Sequence, residues 1–132
     1  MVLENVQIFA TKWFAKFARR EGISDATLRE VIERAERGSV DADLGGGLIK
    51  QRVARKGKGR SGGYRTIIAY RRARRAVFLF GFAKSTRENI EPDDLATARQ
   101  TASLWLAADD VRIGQAIAEG ELAEVPNENQ ET

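Results

Sequence analysis

The chain has 132 residues, 42% hydrophobic and 31% charged, a size and balance that suit one soluble domain with a single modest core and leave little room for a second. It contains no cysteine and no histidine, which excludes disulfides, thiolate metal sites, a cysteine nucleophile and the usual imidazole ligand or general base. The net charge of +3 hides a partition: residues 1–43 hold 7 Lys/Arg and 8 Asp/Glu, residues 44–87 hold 13 and none, and residues 88–132 hold 2 and 11.

In chain order, "VQIFAT" (6–11) reads as a first strand, with Val6 and Ile8 on one face and Phe9 leading onward. Thr11 is placed to cap a helix over "KWFAKFARREG", where Phe9, Trp13, Phe14 and Phe17 recur at helical spacing as core candidates and Gly22 sits just past the end. A second helix starts at a Ser24 or Asp25 cap, carries the stripe Leu28, Val31, Ile32 and Ala35, and closes at Gly38. Its charged residues Arg29, Glu30, Glu33, Arg34 and Glu36 are expected to face water.

Gly45, Gly46 and Gly47 then open a β region. "LIKQRVAR" alternates with neither face cleanly apolar, whereas "YRTIIAYRR" and "AVFLFGFAK" are rich in β-branched and aromatic residues and predict an antiparallel hairpin across the basic turn "RRARR". Alternation puts Tyr64, Thr66 and Ile68 on one face and Arg65, Ile67 and Ala69 on the other, and one of those faces is expected to leave the core. Pro92 suits the first turn of a third helix with Asp93 and Asp94 favourable to its dipole and an apolar face of Leu95, Ala98, Ala102, Trp105 and Leu106. Beyond Ala108, "DDVRIGQAIAEGELAEV" predicts a short final helix carrying Val111, Ile113, Ala116 and Ile117, and the tail "PNENQET" is too polar to order itself. The order β-α-α-β-β-β-α describes an α+β domain, a small antiparallel sheet packed by helices, over residues 1–108, with a C-terminal extension over 109–132 made of that helix and an acidic, partly disordered tail. No apolar run approaches the roughly 18–20 residues that span a bilayer, and no secretory layout opens the chain, so a cytoplasmic protein is expected.

The segment "RKGKGRSGGYR" (55–65) crowds five basic side chains and four glycines into eleven positions. A phosphate-binding P-loop fails on spacing, since Gly57-Lys58 has Arg52 where the first glycine belongs and Gly59 where the hydroxyl residue belongs. A flexible, soluble hairpin loop between strands 48–55 and 64–72 accounts for Gly62 and Gly63 but leaves Lys56, Lys58 and Arg60 unexplained. Contact with nucleic acid accounts for both compositions. An acid-free block of this charge draws a polyanion by counterion release, and glycine lets backbone approach the phosphates that Lys and Arg contact. Tyr64, Tyr70 and Phe82 are candidates for stacking on an unpaired base, though each taken singly reads first as a core residue.

The run "GGGLIKQRVARKGKGRSGGYRTIIAY", followed by "VFLFGFAKSTRENI" and "DDLATARQ", resembles the RelE/ParE toxin superfamily over roughly residues 5–106, and its HigB/RelE-type toxins in particular. The resemblance implies a RelE-like fold and an mRNA interferase: a toxin of a bacterial type II toxin–antitoxin system that cuts mRNA in the ribosomal A site, uses no metal or cofactor, and is neutralised by a cognate antitoxin. Carried over by position, Tyr64 and Arg65 match the family's Gly-Tyr-Arg step, whose arginine contacts the scissile phosphate, and Lys84 matches the basic end of the last strand. Lys56, Lys58 and Arg60 match the basic segment before that step. Ser85 stands where the best-known members have a catalytic arginine, and no tyrosine lies between Lys84 and Leu104 to match their late tyrosine.

Such cleavage needs a group to accept the 2′-hydroxyl proton, charge to stabilise the dianionic phosphorane, and an acid for the departing 5′-oxygen. Arginine stays protonated and serves as a clamp, whereas lysine crowded by like charge has a lowered pKa and can also move a proton. The catalytic candidates are therefore Lys56, Lys58, Arg65 and Lys84, and the RNA-binding candidates Arg52, Arg55, Arg60, Tyr64 and Arg87. Two other readings stay open: a ParE-like gyrase poison on the same fold, and a non-catalytic RNA-binding module.

Overall fold

A computed structural model of the chain describes residues 6–55, 59–83 and 90–126, apart from the side chains of residues 55 and 59–62. The elements are β1 (Gln7–Thr11), α1 (Lys12–Glu21), α2 (Asp25–Glu36), β2 (Ala42–Gly45), β3 (Leu48–Arg55), β4 (Gly59–Arg71), β5 (Arg75–Ala83), α3 (Pro92–Ala107), α4 (Asp110–Ala118) and β6 (Leu122–Glu124). The helix starts follow the caps expected of them. Thr11 Oγ1 accepts the Phe14 N–H at 3.2 Å while donating to the Leu79 carbonyl at 2.7 Å, so one hydroxyl both caps α1 and ties it to β5. Ser24, rather than Asp25, caps α2 through the Thr27 N–H.

The α+β class holds, with one six-stranded sheet in the order β2-β3-β4-β5-β1-β6. The sheet is mixed, however, not purely antiparallel: β2 through β5 are antiparallel neighbours, β1 runs parallel to β5, and β6 runs antiparallel to β1. The hairpin of β4 and β5 leaves the outer edge of β5 with unpaired backbone groups, which β1 satisfies, and β6 in turn pairs with the outer edge of β1. The glycine segment is not simply a loop. β4 begins at Gly59, paired with Arg55 across an irregularity in register, so the glycines lengthen the β3–β4 hairpin.

Both faces of the sheet are covered. Along β4, Tyr64, Arg65, Thr66, Ile67, Ile68 and Ala69 are all between 0% and 7% exposed, which overturns the expectation that one face leaves the core. On one side α1 and α2 bury Phe14, Phe17, Leu28, Val31 and Ile32 against Ile8, Ile68 and Phe78. On the other, α3 and α4 bury Ala98, Ala102, Leu106, Ile113 and Ala116 against Phe9, Leu48, Ile67 and Val77. Small residues let these helices sit close. A Cβ on Gly47 would lie 2.7 Å from Leu106 Cδ1, and one on Gly81 would lie 2.6 Å from Phe17 Cε2, so helices on opposite faces each press on a position with no side chain. Buried Arg75 fixes the end of α3 by donating to the Trp105 and Ala108 carbonyls, each at 2.7 Å.

Several expected core or surface positions are reversed. Trp13 is 68% exposed, with Lys12 Nζ 4.9 Å from its ring centroid, because Phe14 and Phe17 take the buried stripe of α1. Val111 and Ile117 lie on the outer side of α4. Arg29 and Arg34, expected in water, are buried: each guanidinium reaches a carbonyl, Pro126 O at 2.9 Å and Arg52 O at 2.5 Å. Beyond residue 108 the chain continues into the same fold. α4 shares the α3-side core, β6 pairs with β1, Leu122 is buried, and the Val125 N–H reaches the Ile8 carbonyl at 2.8 Å. The acidic tail over 127–132 lies outside the described residues, among which no helix is long and apolar enough to cross a membrane.

Candidate nucleic-acid interface

Strand register, rather than proximity in sequence, builds the candidate site. Arg65 on β4 stands opposite Arg52 on β3 and opposite Phe82 on β5, giving one cross-strand row, while Tyr64 stands between Val53 and Ala83 in the next. By alternation Arg52 and Arg65 share the α3-side face with Lys50 and Ile67, and Tyr64 faces α1 and α2. β3 and β4 stay paired beyond this row as far as Arg55 and Gly59, and β5 ends at Ala83. Lys56, Lys58, Lys84 and Arg87 lie outside the described residues, as do the side chains of Arg55 and Arg60.

Two arginines directly opposite each other on adjacent strands repel, so their arrangement needs a counter-charge. Asp41, just before β2, supplies it. Its carboxylate accepts the Arg52 backbone N–H at 2.7 Å and the Arg52 guanidinium at 3.3 Å, and lies 3.5 Å from Arg34 Nη1. Arg34 in turn donates to the Arg52 carbonyl, so the Arg52 peptide is gripped at both its donor and its acceptor. Gln51, fully buried, accepts the Asp41 N–H at 2.7 Å and donates to the Val31 and Ser39 carbonyls, which fixes the loop that presents Asp41. Burial works against ionisation of Asp41, but the two bonds from Arg52 and the Arg34 charge outweigh it and hold the carboxyl below the usual carboxylate range.

Asp41→Asn is therefore expected to cost about 2–3 kcal/mol near neutral pH, since it strands the buried Arg34 charge. A depressed folded-state pKa gives stabilisation that is complete above the unfolded value of about 3.9 and lost as pH falls through the folded value. Urea unfolding should thus show a wide gap between wild type and variant at neutral pH that narrows towards pH 3. A gap independent of pH would mean that the carboxylate charge is not what matters.

Tyr64 is not a surface ring. It is 4% exposed and packs edge-on against Phe17 with centroids 5.6 Å apart, and its hydroxyl donates to Glu21 Oε1 at 2.9 Å. Phe82 is likewise buried at 5%, and Tyr70, half-buried, gives its hydroxyl to Glu36. Tyr64 and Phe82 give their rings to the core rather than to a base, and the Tyr70 hydroxyl is committed to Glu36. Tyr64 instead props the start of the regular part of β4 against α1. Sequence reasoning missed Asp41, Arg34 and Glu21 as supports for the basic row. The available signal was the position of Asp41 and Asp43 just before the acid-free block.

A groove of about 960 Å³, lined by residues including Trp13, Phe80, Leu104 and Trp105, has none of the site residues expected from sequence among its described lining. Its mostly apolar wall offers no cluster of cations for a phosphate. Among the described residues no group of three or more acidic side chains gathers to hold a metal ion.

None of the curated proteins compared with the chain matches it. A family model described as the RelE toxin of the RelE/RelB toxin–antitoxin system matches residues 6–125, from the first buried valine to the valine that closes the last strand onto Ile8. A match of that length takes in β1, both helix layers and the basic hairpin together, and the chain belongs to the RelE toxin family, toxins whose partner is a cognate antitoxin and which are generally translation-inhibiting ribonucleases.

Proposed function

We propose that this toxin is a ribosome-dependent endoribonuclease of the HigB/RelE type that cuts mRNA in the A site without a metal or cofactor, acts in the cytoplasm, and is silenced by its antitoxin. The observation that supports this reading most is the cross-strand row of Arg52 and Arg65, held in register by Asp41 at the end of the sheet that carries the basic hairpin. Arg65 clamps the scissile phosphate and stabilises charge on the phosphorane. Arg52, Arg55, Arg60 and Arg87 hold flanking phosphates. Lys56 or Lys58, crowded by the neighbouring cations of the sequence, takes the 2′-hydroxyl proton, and Lys84, the next residue in sequence after Ala83, stabilises or protonates the departing 5′-oxygen. Tyr64 acts indirectly, by fixing the backbone from which Arg65 projects.

Induced expression in a host lacking the antitoxin is the direct test. Growth should stop, and new 5′ ends of cellular mRNAs should fall in frame with codons. Continued translation with no in-frame cuts would reject the nuclease reading. An SOS response with intact mRNA would replace it with gyrase poisoning, and binding without toxicity would leave an RNA-binding module.

A further inference from the structure

The acid-free block supplies a second group of cations that the proposed cleavage site does not use. Arg71, Arg72 and Arg74 lie at the turn between β4 and β5, six or more residues along from Arg65 and hence roughly 20 Å away at the rise of a strand. All three are exposed, and none makes an ion pair among the described residues. Arg75 does not belong with them. It is buried and committed to Gln7 Oε1 at 3.0 Å and to the α3 carbonyls.

The turn is held in place. Ala73 adopts a φ of 60°, unusual for a residue with a Cβ, and its N–H donates to both carboxylate oxygens of Glu36, at 3.2 and 2.9 Å. Glu36 also accepts the Tyr70 hydroxyl. The last helical residue of α2 thus anchors the turn from below while its carboxylate is occupied, and the three guanidinium groups are displayed on backbone of defined shape. Asp109 and Asp110 line a small cleft beside Arg71 and Arg74, but Asp109 caps α4 by accepting the Arg112 N–H at 2.8 Å. The cleft is electrically mixed, and the outer rim of the turn is the cationic surface.

We infer that Arg71, Arg72 and Arg74 form a second phosphate-contacting surface, engaging the backbone of folded RNA at the end of the sheet opposite the cleavage site. The turn has no aromatic residue for stacking and no apolar side chain larger than Ala73, so it contacts phosphates without reading bases. Three guanidiniums carried on one fixed turn suit the closely spaced phosphates of a duplex better than a mobile single strand. The choice of RNA as the polyanion rests on the proposed function. The surface itself does not.

The test uses the full chain and a short RNA duplex as probe, with affinity measured across a range of salt. The triple variant Arg71→Ala/Arg72→Ala/Arg74→Ala is expected to make the slope of log K against log salt shallower by about 2–3, the amount due to three phosphate contacts. Arg71→Lys/Arg72→Lys/Arg74→Lys should keep most of the slope. Adding Arg52→Ala should lower it further by an independent increment, because sites this far apart add. An unchanged slope in the alanine variant, with the thermal midpoint also unchanged, overturns the proposal, as does a loss confined to binding of an acidic polypeptide. Cleavage of cellular mRNA alongside an unchanged slope would sink this surface alone. A reduced slope without any mRNA cleavage would sink the nuclease reading and leave the surface standing.

Discussion

Arg65→Ala is expected to lower the rate of mRNA cleavage by about 10²–10³-fold in a purified translation mixture, the usual effect of removing one fixed donor from developing transition-state charge. Arg65 is suited to that task because it cannot wander. It is 7% exposed, lies mid-strand between Arg52 and Phe82, and sits on backbone held by pairing on both sides. Pre-organisation of this kind removes the cost of ordering a long side chain when the phosphorane forms. Arg65→Lys should recover only part of the rate, since an ammonium retains the charge but not the planar two-point grip on phosphate. Because Arg65 is buried, the thermal midpoint must be read beside the rate. A variant that is as stable as wild type yet cleaves poorly supports the clamp, and one that cleaves normally removes Arg65 from the chemistry.

Phe14→Ala should destabilise the fold by about 3–5 kcal/mol, the range for truncating a buried aromatic that leaves a cavity. Phe14 is fully buried, with its ring 4.8 Å from Phe78 and 5.8 Å from Phe17. Phe17 then touches Tyr64, so one aromatic chain joins α1 to β5 and to the residue preceding Arg65. A shift of the urea midpoint at unchanged slope would report lost packing without loss of two-state behaviour. If the variant still folds at low temperature, its cleavage rate should fall as well, because α1 no longer pins Tyr64. Phe17→Leu offers a gentler control that keeps the helix seated while removing the edge-on contact. A Phe14→Ala protein as stable as wild type would show that the cavity closes by repacking.

For most of the chain, sequence was a sufficient guide to element type. Thr11, Ser24, Gly22 and Pro92 mark helix ends through chemistry that acts within one turn, and those ends occur where the caps require. The β-branched and aromatic runs 64–72 and 76–84 likewise predict two paired strands, and alternation along the first says which of its residues share a face. The charge partition of the chain, with 13 basic and no acidic residues over 44–87, is a property of sequence alone, and it is what first pointed to a polyanion.

Tertiary structure decided what those faces meet. Alternation assigns Tyr64 and Arg65 to opposite faces but cannot say that both are covered, because the covering layers come from α1 near one end of the chain and α3 near the other. Sequence offered Tyr64 as a ring for bases. The fold gives that ring to Phe17 and its hydroxyl to Glu21. Arg34 reads as a surface charge on a helix, and it becomes a buried strut only because its long side chain reaches the Arg52 carbonyl once α2 lies on β3. The basic residues of one continuous block are divided by a strand between two ends of a sheet. Local chemistry acts over a few residues and can be read along the chain, whereas burial, register and counter-charge depend on partners far away in sequence, which only folding brings into contact.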